Sequence, residues 1–240
     1  STAKIWDISI TKNTAAMFFS MFLMLWIFIS VARTYSRNKD NPPRGMQSLL
    51  EPIIIFVRDE IAKASIGEKK YIKYMPFLLS LFFFIWLNNI LGLVPFIPGG
   101  ANLTGNIAIT MTLAVFTFLV TIFSGNKNYW RHIFAMPGVP KGILIILTPI
   151  ELLGLVLKPF VLMIRLFANI TAGHIIMLSF FSLIFIFGEL NAVVGYGASI
   201  PLTLFTVFMF MLELLVGFIQ AYVFTLLSAI YFGIAVEDHH

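Results

Sequence analysis

The sequence predicts an all-α polytopic membrane protein, with about five membrane helices and one amphipathic helix in a single membrane domain, residues 1–240. Three observations predict this class. First, 59% of the residues are hydrophobic and only 11% are charged, whereas about 25% are charged in a typical soluble domain. Second, apolar runs close to the roughly 20 residues that cross a bilayer recur along the chain. Third, the last two apolar segments are much longer, which predicts two long, steeply tilted helices that form a hairpin.

The composition also excludes several kinds of site. The chain has no cysteine, which excludes disulfides and thiolate metal centres, and we expect neither a metal nor a cofactor. The sequence has no phosphate-binding loop or nucleotide fingerprint, so we do not expect nucleotide chemistry on this chain. The net charge of +5 comes from basic residues beside the apolar runs, a pattern that is not typical of nucleic-acid binding.

The first half of the chain contains three of the predicted membrane helices. A polar connection follows the first of them. Residues 49–64 then place apolar side chains mainly on one face and charges on the other, which predicts an amphipathic helix at the membrane interface or packed on the bundle. The predicted spans are residues 15–32, 75–94 and 106–123.

Lysine and arginine predict the orientation of the chain in the membrane. Residues 33–73 carry nine of them against five carboxylates, and residues 125–142 carry three with no carboxylate. The turn at residues 95–105 has no charge. The positive-inside rule therefore places both basic segments on the cytoplasmic side, or its equivalent, and the N-terminus outside.

Two apolar segments near the end of the chain, residues 143–187 and 199–236, contain 45 and 38 residues. As helices they would measure about 68 Å and about 57 Å, roughly twice the thickness of a hydrocarbon core. Each is therefore either a broken re-entrant pair or one long, tilted helix. Because no polar turn interrupts either segment, we favour long helices, joined by a loop at GELNAVVGYGAS, residues 188–199.

Five ionisable residues fall inside these two long segments. Each costs about 2.5–3.5 kcal/mol or more in hydrocarbon, and such residues usually face a partner, a water-filled cavity or an ion path. A structural ion pair between helices would explain one isolated charge, but five in one hairpin favour proton transport. They are Glu151, Lys158, Arg165, His174 and Glu213.

The spacing on the first long segment arranges its polar residues on two faces. Glu151, Lys158 and Arg165 are seven residues apart, so they drift only about 20° per step around a helix and form one stripe. Asn169, four residues beyond Arg165, lies on nearly the same face, whereas His174 lies on the opposite one. One polar stripe therefore leads to the arginine, and a second polar group lies behind it.

The second long segment carries a matching pair, because Glu213 and Gln220 are also seven residues apart. In a hairpin, Gln220 would lie near Arg165 and Glu213 near His174. Glutamate and histidine can relay protons, but arginine stays protonated. A fixed cation between two polar routes would block a direct proton leak and keep a passing carboxylate ionised. The pattern therefore predicts two half-channels separated by Arg165.

Most of these residues lie in two stretches, residues 157–177 and 212–239. The first contains the block R-L-F-x-N-x-x-A-G, which begins at Arg165, and the second contains the block Q-A-[YF]-[VI]-F, which begins at Gln220. Together with NNILGLVP and TPIELLG, they make residues 70–238 resemble subunit a of the F-type ATP synthases. The two blocks are highly specific to that family.

The resemblance implies roles for single residues. Arg165 corresponds to the family's essential arginine. The best-known bacterial pattern has glutamate after the A-G and histidine seven residues before the glutamine; here His174 and Glu213 are exchanged, as in mitochondrial and some bacterial members. The implied roles are a proton relay in the outer half-channel for Glu213 and His174, polar partners of the arginine for Gln220 and Asn169, and the inner half-channel for Glu151 and Lys158.

The same resemblance implies a proton-translocating stator subunit that couples proton flow to rotation and is not an enzyme on its own. Its implied partners are a c-ring against which the hairpin packs, b-type subunits of the peripheral stalk, the remaining ATP synthase subunits, membrane lipid and protons, but not nucleic acid. The AVEDHH tail and the basic loops favour a bacterial plasma membrane, with the mitochondrial inner membrane as the alternative.

The leading alternative is a self-contained proton-coupled secondary membrane transporter. It would predict internal repeats and Gly/Pro-broken spans at equivalent places in two halves, and the sequence shows neither. A passive membrane anchor for a respiratory complex would not predict the polar stripe.

Overall fold

The computed structural model describes residues 12–37, 45–93, 103, 105–134 and 141–237. Most of the predicted turn at residues 95–105 and part of the second basic loop lie outside the described residues, as do the side chains of Lys158, Asn169 and His174. Every regular element in the described part is helical. The elements are α1 (Lys12–Arg37), α2 (Met46–Phe56), a π-helical segment (Val57–Lys63), α3 (Ala64–Ile66), α4 (Tyr71–Leu93), α5 (Ile107–Ser124), α6 (Lys127–Phe134), α7 (Lys141–Leu190) and α8 (Ala192–Val236).

Five of these helices are long and apolar enough to cross a membrane. The all-α class, the about five spans and the two long final helices are therefore confirmed. The apolar stretches are Asn13–Thr34, Tyr71–Leu93, Ile107–Ser124, Phe160–Leu190 and Val193–Val236.

The region predicted as an amphipathic helix is helical throughout, but its hydrogen-bond ladder changes from α to π within the segment. On its apolar side Val57 and Ile61 are completely buried and belong to the main core. On the other side the carboxylate of Asp59 accepts from Arg58 at 2.8 Å and pairs with Lys63 at 3.0 Å. These contacts, with the Arg58 hydrogen bonds first, hold the pKa of Asp59 well below its usual range. The segment is thus packed on the bundle with its charges outward.

The core lies where α4 meets the second half of α8. Phe82 of α4 and Phe224 and Phe232 of α8 are completely buried, and the ring of Tyr74 stacks on Phe232 with centroids 5.2 Å apart. Because lipid tails are as apolar as these rings, the contact is stabilised by close van der Waals packing between the helices. α4 and the π-helical segment therefore pack on the C-terminal half of α8.

The end of α8 is fastened to both basic segments. Lys70 Nζ donates a hydrogen bond to the Val236 carbonyl at 2.7 Å, and Asn126 Nδ2 donates to the same oxygen at 3.1 Å. The backbone amide of Asn126 also donates to the Ala235 carbonyl at 2.9 Å. Lysine and amide donors suit the last carbonyls of a helix, which have no partner within the helix. Residues 70 and 126 therefore lie at the same end of the bundle, as the charge pattern predicts.

The two long helices meet in a hairpin with one residue between them. The proposed loop at residues 188–199 is wrong in extent, because α7 continues to Leu190 and α8 begins at Ala192. Asn191 caps α8, since its side-chain oxygen accepts from the Val193 amide at 3.0 Å. A Cβ on Gly195 would lie 2.7 Å from the Cα of Gly188. The polar, glycine-rich sequence that suggested a loop is therefore what allows two helices to turn this closely.

Candidate functional site

The predicted stripe on α7 lies on one uninterrupted helix. Glu151, Lys158 and Arg165 are all within Lys141–Leu190, and neither Pro149 nor Pro159 ends that helix. Spacings of seven therefore keep these positions on one face over about 21 Å of helix length. Glu151 is partly buried, and Arg165 is exposed on the surface of the chain.

Glu213 of α8 is packed directly against Gly173 of α7. A Cβ placed on Gly173 would lie 2.9 Å from Glu213 Oε1 and 3.0 Å from its Cδ. The carboxylate thus occupies the space that a side chain at position 173 would fill. His174 is the next residue along α7, so the structure brings Glu213 to the backbone beside it, as the hairpin prediction requires.

Two glycine contacts define the register of the hairpin. Gly188 lies against Gly195 near the turn, and Gly173 lies against Glu213 further down. Arg165 is eight residues before Gly173, and Ala221 is eight residues after Glu213. Because both helices rise about 1.5 Å per residue, Arg165 lies near the level of Ala221 and its neighbour Gln220, about 12 Å from the level of Glu213.

Gln220 and Arg165 differ sharply in burial although they share this level. The side chain of Gln220 is only 2% exposed, whereas Arg165 is open on the outside of the chain. Large apolar residues with exposed side chains flank the arginine on its own helix, among them Val161 and Ile164. The guanidinium is therefore a cation within an apolar face that has no cover in the described part of the chain.

Arg165 also interacts electrostatically with Tyr231 of α8. Side chains on a helix lean toward its N-terminus, so on antiparallel neighbours these two lean toward each other. Tyr231 lies ten residues beyond Ala221, toward the end that Lys70 and Asn126 fasten. The Cα–Cβ bond of Arg165 is thus tilted toward the basic end of the bundle.

Glu151 lies near that basic end. The pKa of Tyr129 in α6 is raised mainly by burial and, to a smaller extent, by the negative charge of Glu151. The Tyr129 hydroxyl is buried and has no hydrogen-bond partner among the described residues. The partly buried Glu151 and this tyrosine therefore form a polar patch about 21 Å along α7 from Arg165.

Sequence reasoning missed one polar contact in the site. Asn89 of α4 donates from Nδ2 to the Gly217 carbonyl at 2.9 Å, and this bond is buried. Gly217 lies between Glu213 and Gln220 on α8. The preceding residue, Asn88, instead donates to the Phe84 carbonyl of its own helix at 2.7 Å. The asparagine pair inside the apolar run NNILGLVP was the available signal.

The geometry defines a class of protein: a membrane subunit with polar groups on either side of an outward-facing arginine, suited to passing an ion along a neighbouring subunit. Comparison with known sequences agrees with this class. Residues 14–233 match the family described as the ATP synthase A chain. The match extends further toward the N-terminus than the resemblance over residues 70–238.

Individual relatives support the match along nearly the whole chain. ATP synthase subunit a 2 of Chlorobaculum tepidum is 44% identical over 98% of this chain and 66% of its own length. Subunit a of Chloroherpeton thalassium is 43% identical, over 97% of this chain and 69% of its own length. Subunit a of an Anaeromyxobacter species is 42% identical over 97% and 56%. The chain thus spans about two thirds or less of these relatives.

The chain belongs to the ATP synthase A chain family. This family provides the membrane stator that forms the proton channel of F-type ATP synthases, and the subunit is not itself catalytic. The chain is accordingly a multi-pass membrane protein and a member of the ATP synthase complex.

Proposed function

We propose that this chain conducts protons through two half-channels that are separated by Arg165, and that the flow turns a c-ring packed against α7 and α8. The observation that carries this proposal is the position of the arginine. It is exposed on an apolar face, level with the buried Gln220, with Glu213 about 12 Å along the hairpin on one side and Glu151 about 21 Å on the other.

The chemistry of arginine explains why it would separate the two routes. Its guanidinium stays protonated at any relevant pH, so it cannot accept and release a proton as glutamate or histidine can. A fixed positive charge repels protons that approach from either side. It also stabilises the ionised form of a carboxylate on a passing subunit. A ring carboxylate that reaches Arg165 would therefore release its proton.

We assign the outer half-channel to Glu213 and His174, and the inner one to Glu151 and Lys158. The contact of Glu213 with Gly173 supports a coupled pair, because it brings the carboxylate to the residue before His174. The proximity of Glu151 to Tyr129 of the basic loop supports an inner route that opens at the cytoplasmic end. Asn169 and Gln220 would be polar partners of the arginine.

The length of the hairpin supports a ring-shaped neighbour. α7 has 50 residues and α8 has 45, about 75 Å and 68 Å, against a hydrocarbon core of about 30 Å. The helices must lie steeply tilted to remain in the membrane, which presents a broad apolar face at the level of Arg165. We infer that a c-ring covers this face. We also infer that b-type subunits of the peripheral stalk and the remaining ATP synthase subunits complete the assembly. The membrane would be a bacterial plasma membrane, in keeping with the bacterial relatives.

Replacing Arg165 by alanine in the assembled ATP synthase tests the proposal. ATP-driven proton pumping into membrane vesicles should fall to background, because nothing then separates the half-channels or discharges the ring carboxylate. Arg33→Ala is the matched control, since Arg33 is exposed on α1, a helix that carries none of the half-channel residues; it should pump normally. Coupled pumping that persists in assembled Arg165→Ala complexes would contradict the proposal.

A further inference from the structure

A cleft of about 530 Å³ lies at the basic end of the bundle, where α4 begins and where α5 and α8 end. Three lysines line it, Lys69, Lys70 and Lys73, together with the polar residues Ser124 and Asn126. This cleft is separate from the predicted half-channel residues. Its concentrated positive charge suits an anionic oxygen ligand.

The three lysines have different surroundings. Lys70 and Val236 both line the cleft, and Lys70 Nζ donates to the Val236 carbonyl. Lys69 and Lys73 are exposed, and neither forms an ion pair with a carboxylate in the described part of the chain. Lys73 Nζ lies 5.5 Å from the centre of the Tyr74 ring. Lys69 and Lys73 are thus available to a ligand, whereas Lys70 holds the end of α8.

The cleft lies at the level of the membrane interface. The α4 membrane span begins at Tyr71, between Lys70 and Lys73. Ile72, which also lines the cleft, is 67% exposed, and Phe123, next to the cleft residue Ser124, is 84% exposed, so exposed apolar side chains lie beside the lysines. The positive-inside rule places this end on the cytoplasmic side, where the leaflet carries anionic lipids and where basic pockets between membrane helices bind their head groups.

We infer that this cleft binds the head group of an anionic phospholipid, with its phosphodiester at Lys69 and Lys73 and its acyl chains against the exposed apolar side chains of Ile72 and Phe123. A free phosphate shares the charge but not the acyl chains, so the exposed isoleucine beside the lysines favours the lipid. By holding a lipid where α4, α5 and α8 converge, the cleft would join this end of the bundle to the bilayer.

The test uses the intact ATP synthase in phosphatidylcholine nanodiscs that contain increasing fractions of phosphatidylglycerol. Lipid retained by the complex is quantified by mass spectrometry after exchange. The double variant Lys69→Gln/Lys73→Gln should need an about thirtyfold higher fraction of phosphatidylglycerol for half-occupancy. Lys70 is left in place because it holds α8. Lys127→Gln/Arg131→Gln is the matched control, since it removes two exposed charges from the same side without touching the cleft, and its retention should equal that of the unmodified complex.

Two results would overturn the inference. The first is equal retention by the Lys69→Gln/Lys73→Gln complex and its control, which would assign the lysines to general surface charge. The second is displacement of phosphatidylglycerol by millimolar inorganic phosphate, which would identify a free anion as the ligand. Retention that is lost only in the cleft variant and that resists phosphate supports a phospholipid site.

Discussion

The carboxylate of Glu213 lies against the backbone of Gly173, and a Cβ at position 173 would come 2.9 Å from Glu213 Oε1. This contact joins the two long helices at the residue before His174. It requires that position 173 carry no side chain, since even a methyl group would meet the carboxylate. The glycine of the A-G pair therefore determines where Glu213 can lie.

Gly173→Ala tests whether the position of this carboxylate matters. The methyl group would meet the flexible end of Glu213 rather than backbone, so the fold should accommodate it while the carboxylate moves. We expect normal amounts of assembled complex but an about tenfold or greater loss of ATP-driven proton pumping, since displacements near 1 Å are costly in a positioned site. Pumping in vesicles and subunit abundance in the membrane are measured together.

Gly154→Ala is the control for this change. Gly154 lies on the same helix, and a Cβ there would meet nothing within 4 Å. It should leave both abundance and pumping unchanged. Equal pumping by the two alanine variants would show that the contact between Gly173 and Glu213 does not govern proton flow.

Exchange of Glu213 and His174 tests the proposed pair directly. Each single change, Glu213→His or His174→Glu, leaves two like groups at the same place and should reduce pumping by about a hundredfold, the contribution of a positioned proton-transfer group. The double change restores one carboxylate and one imidazole, and pumping should recover substantially. If the double variant is no better than the single ones, the two residues do not act as a unit.

The hairpin shows what the sequence could and could not predict about the fold. Its uninterrupted apolar character predicted two long helices, because no polar turn divides either segment. Its turn was predicted too long, because glycine and asparagine are equally typical of loops and of closely packed helix ends. Only tertiary contact distinguishes the two, here the approach of Gly195 to Gly188 and the cap at Asn191. The change to a π-helix at Val57–Lys63 likewise leaves no periodic signal in seven residues.

The candidate site likewise has features that the sequence could predict and features that it could not. Spacing alone predicted that Glu213 lies near His174 and Gln220 near Arg165, because an antiparallel hairpin pairs residues at equal distances from its turn. It could not predict that Asn89 bonds to α8 while Asn88 bonds within its own helix. That outcome depends on the rotation of α4 against α8, which packing of the aromatic core determines.

Asn89→Ala should weaken the junction of α4 with the polar stretch of α8. It removes the side-chain donor to the Gly217 carbonyl, an oxygen that also accepts the helical bond within α8, so the loss is that of one hydrogen bond, about 0.5–1.5 kcal/mol. We expect a lower temperature of thermal inactivation of proton pumping in purified complexes. Asn88→Ala is the matched control, because its amide bonds within α4, and it should preserve the junction with α8. A larger loss in Asn88→Ala would show that the interhelical bond is not the important one.

Gly233 provides the opposite case to Gly173, because its neighbour is backbone. A Cβ on Gly233 of α8 would overlap the carbonyl oxygen of Ser65, which lies in α3. Backbone cannot move aside as a carboxylate can, so Gly233→Ala should force α3 away from α8, at a cost of about 1–3 kcal/mol or more for overpacking. We expect reduced abundance of the assembled complex, measured by quantitative immunoblotting of membranes.

The matched control for Gly233→Ala is Gly197→Ala, which adds a methyl group to the same helix where nothing lies within 4 Å; its abundance should be normal. Comparing Gly233→Ala with Gly173→Ala then separates assembly from proton conduction. The first should lose complex and retain pumping per assembled complex, because α3 packs on α8 and carries none of the half-channel residues. The second should retain complex and lose pumping. Normal abundance of Gly233→Ala would mean that α3 can separate from α8 without loss of assembly, and the close backbone contact would then have no structural importance.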